Sequence, residues 1–102
     1  MTESDGDEIF IKLNGKKIWP QERYFSVGNS IKVKLDCCFD IRPTQQTFEF
    51  ELWEYDNIFS SQCIGRFYLR PDQIGGPFTT DLKETPGNFA RYSLDWGVGE
   101  KR

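Results

Sequence analysis

A strict alternation of apolar and polar residues along 31–40, IKVKLDCCFD, constrains this chain more than any other feature. In an extended chain, successive side chains point to opposite faces, so period-two alternation over this length predicts a half-buried β-strand. One face then carries the apolar side chains of Ile31, Val33, Leu35, Cys37 and Phe39. The opposite face carries mainly charged side chains, as a solvent-facing strand surface requires.

The segment 47–53, TFEFELW, repeats this pattern. Its inner face is predicted to carry Phe48, Phe50 and Leu52, and its outer face Glu49, Glu51 and Trp53. The outer face of 31–40 presents Lys32 and Lys34, which complement the two glutamates. Opposite charges on neighbouring strands contribute about 0.2–1 kcal/mol per pair, so we expect these two strands to pair antiparallel.

Short strands are predicted along most of the remaining chain. Asn14-Gly15 separates β-rich runs at 8–13 and 16–19, and this dipeptide favours the type I′ turn of a hairpin. Further strands are predicted at 24–27, at 63–70, near Phe78 and at 89–96, with one helical turn at 71–74. The last strand is expected to carry Ala90, Tyr92, Leu94 and Trp96 on one side.

These elements predict an all-β fold, an antiparallel β-sandwich of about seven or eight short strands. The length of 102 residues suits one domain, and the 16% aromatic content predicts a packed core. We expect a flexible acidic arm at 1–7, a single sandwich domain at 8–97 and a loose tail at 98–102.

The amino-acid composition argues against several classes of protein function. Thirteen Lys and Arg residues against sixteen Asp and Glu residues leave a net charge of −3, which argues against a nucleic-acid partner. The chain has no His and no recognisable nucleophile–base pair or metal cluster, so we do not expect an enzyme. Three cysteines, of which Cys37 and Cys38 are adjacent, do not form a disulfide framework. Together with the acidic first residues, they favour a cytoplasmic protein.

The segment 48–69, FEFELWEYDNIFSSQCIGRFYL, resembles the later half of C2 domains. In that family, a strand ends in alternating acidic residues, a loop follows, and a further acidic residue precedes a glycine in the next strand. Here Leu52-Trp53-Glu54-Tyr55-Asp56 leads to Gln62, and Gly65 follows at the matching distance. The resemblance implies a C2-like sandwich, a non-enzymatic binding module whose loops at one end engage a protein or a phospholipid membrane.

The cofactor that this resemblance implies is calcium. Calcium-binding C2 domains use several aspartates from two loops, and the ion takes about six to eight oxygen ligands. This sequence keeps Asp56, has Glu54 where the family prefers Asp, and has neutral Gln62 where the family has another carboxylate. Asp5, Asp7 or Glu8 adds oxygens if the N-terminal end reaches this loop. The candidate ligands are therefore Glu54, Asp56 and Asp7, and calcium dependence is expected to be weak or absent.

The candidate binding loop also contains two apolar residues at its tip. Taking such an exposed pair out of water gains about 25 cal/mol per Å². Two interpretations stay open: Ile58 and Phe59 dip into a membrane interface, or Phe59 folds back onto the core. The predicted binding-loop residues are Glu54, Asp56, Asn57, Ile58, Phe59 and Gln62.

A carbohydrate-binding, lectin-like module is the alternative function, because flat indole rings stack on sugars. The chain has Trp19, Trp53 and Trp96, and Trp53 is the best candidate because it shares the outer face of its strand with Glu49 and Glu51. Half-buried sheet packing is the competing interpretation of these rings. Strand faces with alternating Lys and Glu are also compatible with a homodimer, although edge charges equally prevent pairing.

Overall fold

A computed structural model describes residues 7–28, 33, 35, 46–56, 60–86 and 92–99 of the chain. Every strand pair in these ranges is antiparallel, and the strands build two sheets. The strands are β1 (Asp7–Leu13), β2 (Lys16–Trp19), β3 (Phe25–Val27), β4 (Phe48–Glu54), β5 (Gln62–Leu69), β6 (Gly75–Asp81), β7 (Lys83–Glu84) and β8 (Ser93–Val98). The prediction of an all-β antiparallel sandwich is confirmed.

The larger sheet has six strands, in the order β2-β1-β4-β5-β7, with β3 also paired to β1. β2 pairs with the second half of β1 and β3 with its first half, so the two short strands share one edge. Pro20 and the two lysines of β2 lie along this edge, where they oppose pairing with another chain. The smaller sheet contains β6 and β8.

The predicted hairpin between β1 and β2 is present. Asn14 and Gly15 have φ angles of 54° and 80°, as both central residues of a type I′ turn require. Leu13 faces Lys16 directly across the turn. The turn therefore sets the register of β2 as far as the Lys12–Lys17 pair, beyond which an irregularity shifts it so that Ile11 faces Trp19.

The core contains side chains from the larger sheet and from Leu82, which follows β6. Leu52 in the central strand β4 is the most enclosed of them, with 2% of its surface exposed. The buried cluster comprises Ile9, Ile11, Trp19, Val27, Leu52, Ile64, Phe67, Leu69 and Leu82. Tyr92, Leu94 and Trp96 pack against it from the side of β8, so the core lies between the two sheets.

The predicted pairing of 47–53 with 31–40 is wrong. β4 has β1 on one side and β5 on the other, so both of its hydrogen-bonding edges are taken. The positive charges that face Glu51 belong instead to Lys12 in β1 and Arg66 in β5. Within 31–40 only Val33 and Leu35 are described, and both pack against the core; the rest of that predicted strand lies outside the described residues.

Three smaller expectations also differ from the structure. No helical turn forms at 71–74; instead the Asp72 N–H donates to the Arg70 carbonyl at 2.9 Å, a γ-turn centred on Pro71, whose fixed φ suits it. β1 begins at Asp7, inside the predicted arm, and β8 ends at Val98, inside the predicted tail. Among the described residues, no helix is long and apolar enough to cross a membrane.

Candidate functional site

One end of the sandwich brings together the beginning of β1 and the end of β4. Ile9 pairs with Glu54 in the β1–β4 register, and the Tyr55 N–H donates to the Glu8 carbonyl at 2.7 Å. We call this region the acidic end and define it by Asp7, Glu8, Glu54 and Asp56. The sequence left open whether the N-terminal acids reach the corner after β4, and the structure shows that Asp7 and Glu8 do.

On the core-facing side of the acidic end, the carboxyl group of Glu54 lies close enough to Asp7 to feel its negative charge. The Tyr92 hydroxyl donates to Oδ2 of Asp7 at 2.5 Å, so a residue next to β8 joins the pair. Burial raises the pKa of Glu54, and its proximity to Asp7, Asp56 and Glu8 raises this pKa further. Burial also raises the pKa of Tyr92, and the bond to Asp7 adds to the shift. Glu54 therefore keeps its proton to a higher pH than an ordinary glutamate.

On the outer face of the larger sheet, the acidic end carries two stacked tyrosines, which we call the tyrosine pair. The rings of Tyr24 and Tyr55 lie 4.9 Å apart with an interplanar angle of 26°. Tyr24 precedes β3 and Tyr55 follows β4, so the two rings approach Glu8 of the intervening β1 from opposite sides. The hydrogen bond with Glu8, followed by its negative charge, raises the pKa of Tyr24. Arg23 Nη1 donates to the Tyr55 hydroxyl at 3.4 Å.

The predicted binding-loop residues fall into two groups. Glu54, Asp56 and Gln62 are described, and Gln62 faces Glu54 across the β4–β5 ladder. The Asp56 N–H donates to the Ser61 hydroxyl at 3.3 Å, which holds the two sides of the loop together. Asn57, Ile58 and Phe59 lie outside the described residues. The two interpretations of the Phe59 ring therefore both stay predictions.

The arrangement of carboxylates at this end does not fit a calcium ion. The described residues contain no group of three or more acidic or cysteine side chains placed to hold a metal. Asp7 Oδ2 is already engaged, because it accepts a hydrogen bond from the Tyr92 hydroxyl. Because calcium needs about six to eight oxygens, this donor set is too small and is already engaged.

Trp53 lies beyond the tyrosine pair on the outer face, but its ring is not open. Phe10 stacks on it at 6.1 Å with an interplanar angle of 17°, and Lys12 Nζ lies 4.2 Å from its centroid. Its indole N–H donates to Glu51 Oε1 at 3.2 Å. Trp19 is buried, and the indole N–H of Trp96 donates to Thr80. These contacts leave little free indole surface on which a sugar ring could stack.

An open depression of about 550 Å³ lies beside the base of β8. Its described lining consists of Asp81, Leu82, Glu84, Tyr92 and Ser93. The Tyr92 hydroxyl is not free to react at this depression, because it donates a hydrogen bond to Asp7. Asp81 and Ser93 face each other across the β6–β8 ladder at this depression.

Sequence reasoning missed the three tyrosines of this end. Tyr55 sits inside the recognised corner motif, and its place directly after an outward-facing Trp53 and a core-side Glu54 was an available signal. The sequence gives no such signal for Tyr24 or Tyr92, because their positions depend on strand pairings across the two sheets. Comparisons of the chain with protein families, curated proteins and solved structures find no match.

Proposed function

We propose that this protein is a non-enzymatic, C2-like binding module that engages a protein partner through the acidic end of its sandwich. The observation that carries the proposal is the tyrosine pair, two stacked rings beside Glu8 on the outer face. Tyrosine is enriched at protein interfaces because a ring buries a large apolar area while its hydroxyl keeps a polar contact. The pair is already ordered by stacking, which lowers the entropy lost on binding.

The charge around the pair favours a partner segment rich in Lys and Arg. Asp7, Glu8, Glu54 and Asp56 cluster within this end, and Arg23 is the cation seen in contact with it. An ammonium or guanidinium group gains from the face of a tyrosine ring and from a neighbouring carboxylate. An anionic phospholipid surface would be repelled by the same carboxylates, so we favour a protein over a membrane.

The carbohydrate alternative has less support. The indole faces that would form a sugar platform are buried or already in contact with Phe10 and Lys12. A cytoplasmic setting is part of the proposal, and it rests on the cysteine content and the acidic N-terminal sequence. A homodimer is not needed for the proposed binding, because both tyrosines come from one chain.

Binding of a labelled ten-residue peptide of alternating Lys and Ser, followed by fluorescence anisotropy, tests the proposal. We expect the double variant Glu8→Gln, Asp56→Asn to bind about tenfold more weakly, since each tenfold change corresponds to about 1.4 kcal/mol. The matched control Glu84→Gln, Asp95→Asn removes the same charge from exposed sites on other strands and should bind normally.

A second arm separates the peptide from a membrane. Vesicles of phosphatidylserine and phosphatidylcholine, floated with and without calcium, should leave the protein unbound. Peptide binding that is equal in both double variants would contradict the proposed site. Calcium-dependent flotation would contradict the choice of a protein partner and favour a membrane.

A further inference from the structure

The outer face of β1 carries an acidic, an aromatic and a basic side chain in succession. Glu8, Phe10 and Lys12 alternate with residues of the buried core cluster, so all three point away from the core. We call these three residues the outer row. Successive side chains on one face of a strand lie about 6.8 Å apart. Phe10 is therefore the midpoint of a row that is negative at one end and positive at the other.

The neighbouring strand β4 widens the middle and the basic end of the outer row. Phe10 pairs with Trp53, and the two rings stack at 6.1 Å. Lys12 pairs with Glu51. One carboxylate oxygen of Glu51 accepts a hydrogen bond from the Trp53 indole, and the other accepts one from Arg66. The Lys12 ammonium lies 4.2 Å from the centroid of the Trp53 ring, where it can still receive a carboxylate from another molecule.

We propose that the outer face of the larger sheet forms a face-to-face dimer with a second copy of this chain. The twofold axis runs along the pairing of Phe10 with Trp53, so each β1 lies antiparallel across the β1 of its partner. This rotation keeps the aromatic middle at the centre and puts Glu8 over Lys12 of the partner subunit. A twofold interface needs such a self-complementary patch, because both copies contribute the same residues.

Charge complementarity favours a second copy as the occupant of this face. An occupant with one sign of charge would meet a like charge at one end of the outer row, at Glu8 or at Lys12. A second copy in the antiparallel orientation meets an opposite charge at both ends, whereas the parallel orientation would bring like charges together. The smaller sheet packs on the opposite face, where the core lies, so it does not compete for this surface.

The size of the patch limits the strength of the dimer. Three strands about 4.8 Å apart give a contact of roughly a few hundred Å², below the roughly 800 Å² that a stable complex buries on each partner. We therefore expect a weak dimer that forms at high protein concentration. The inference goes beyond the proposed function, because at low concentration Glu8 stays open to another partner.

Sedimentation equilibrium of the full chain, from about 10 μM to about 1 mM protein, tests the inference. We expect the mass of the wild-type protein to rise toward that of a dimer over this range. Lys12→Glu and Glu8→Lys should each stay monomeric, because each variant brings like charges together across the axis. An equimolar mixture of the two should associate again, since every charge at the ends of the outer row then faces its opposite.

Further variants separate the proposed contact from a general effect of charge. The double variant Glu8→Lys, Lys12→Glu exchanges the two charges within one chain and should dimerise like the wild type. Lys83→Glu and Glu84→Lys reverse exposed charges on β7 and should leave association unchanged. A wild-type protein that stays monomeric to about 1 mM would overturn the inference, and so would a double variant that is folded by circular dichroism but monomeric. The peptide assay uses micromolar protein, at which the chain is monomeric, so either proposal can fail alone.

Discussion

The hydroxyl of Tyr92 donates a hydrogen bond of 2.5 Å to Oδ2 of Asp7, across 85 positions of sequence. Asp7 is the first residue of β1, and Tyr92 comes directly before β8. The bond therefore joins an end of the larger sheet to the strand pair that covers its core. Beside it, the Leu82 N–H donates to the Tyr92 carbonyl at 3.0 Å, which continues the pairing of β6 with β8 by one residue.

Removing the Tyr92 hydroxyl should weaken this connection between the sheets. Tyr92→Phe keeps the half-buried ring but leaves Asp7 without its donor, and we expect a loss of about 1 kcal/mol in the free energy of unfolding. For a domain of this size, that corresponds to a fall of about 4–8 °C in Tm. Urea denaturation measures the change. Tyr68→Phe, at an exposed ring on the outer face, is the matched control, and equal effects in both variants would contradict the assigned role.

Stability should depend on pH through Glu54. Burial and negative neighbours raise its pKa above the ordinary value of 4.5, so ionising Glu54 is harder in the folded protein than in the unfolded chain. Its stabilising contribution is fully present below pH 4.5 and is lost as the pH rises through the raised pKa.

Glu54→Gln should remove this dependence, because the amide stays neutral at every pH. At pH 7 the variant should be more stable than wild type by less than about 1 kcal/mol, a limit set by solvent screening of a largely exposed group. Below pH 4 the two proteins should have equal stability. Thermal unfolding from pH 3.5 to 8 tests this, and a variant that is less stable at pH 7 would count against it.

Leu52 should be the most sensitive side chain of the core. It is 2% exposed in the central strand β4, so Leu52→Ala leaves a cavity that flanking strands cannot easily close. We expect a loss of about 2–5 kcal/mol in the free energy of unfolding. Ile74→Ala, at a side chain that is 55% exposed, should change it by less than about 0.5 kcal/mol. Similar urea midpoints for the two variants would mean that the core lies elsewhere.

Gly65 should tolerate no side chain, because β7 pairs with β5 there and its backbone lies very close to the Gly65 Cα. An added Cβ would meet the Lys83 carbonyl oxygen at 2.5 Å and the Leu82 Cγ at 2.9 Å. Gly65→Ala should therefore push β7 from the sheet edge and cost about 1–3 kcal/mol. Gly99→Ala, with open space around its Cβ, is the control. Amide hydrogen exchange should show faster exchange at residues 83–85 in Gly65→Ala, and unchanged exchange there would refute the clash.

Local signals predicted the fold well. The Asn14-Gly15 turn depends on two adjacent residues, and the inward Phe50 and Leu52 follow from the alternation within one strand. The partners of β4 could not be predicted in the same way. Lys32 and Lys34 complement its glutamates as well as Lys12 and Arg66 do, so charge alone did not select among distant strands.

The site was predicted only in part for the same reason. The corner motif located Glu54 and Asp56. The sequence made the role of Asp7 depend on the N-terminal end reaching this corner, and the β1–β4 pairing brings it there. The Tyr24–Tyr55 stack needs three strands in the order β3-β1-β4, which no short motif encodes. The Tyr92 bond additionally needs both sheets in place.

Chemical-shift mapping with the Lys–Ser peptide tests the proposed binding end most directly. In ¹⁵N-labelled protein, we expect saturable shifts centred on residues 8, 24 and 55, with small changes along β6 and β8. Tyr24→Leu, which replaces one ring of the stack by an aliphatic side chain, should reduce these shifts without unfolding the protein. Shifts centred on the smaller sheet, or no saturable shift at any described residue, would show that the acidic end is not the binding site.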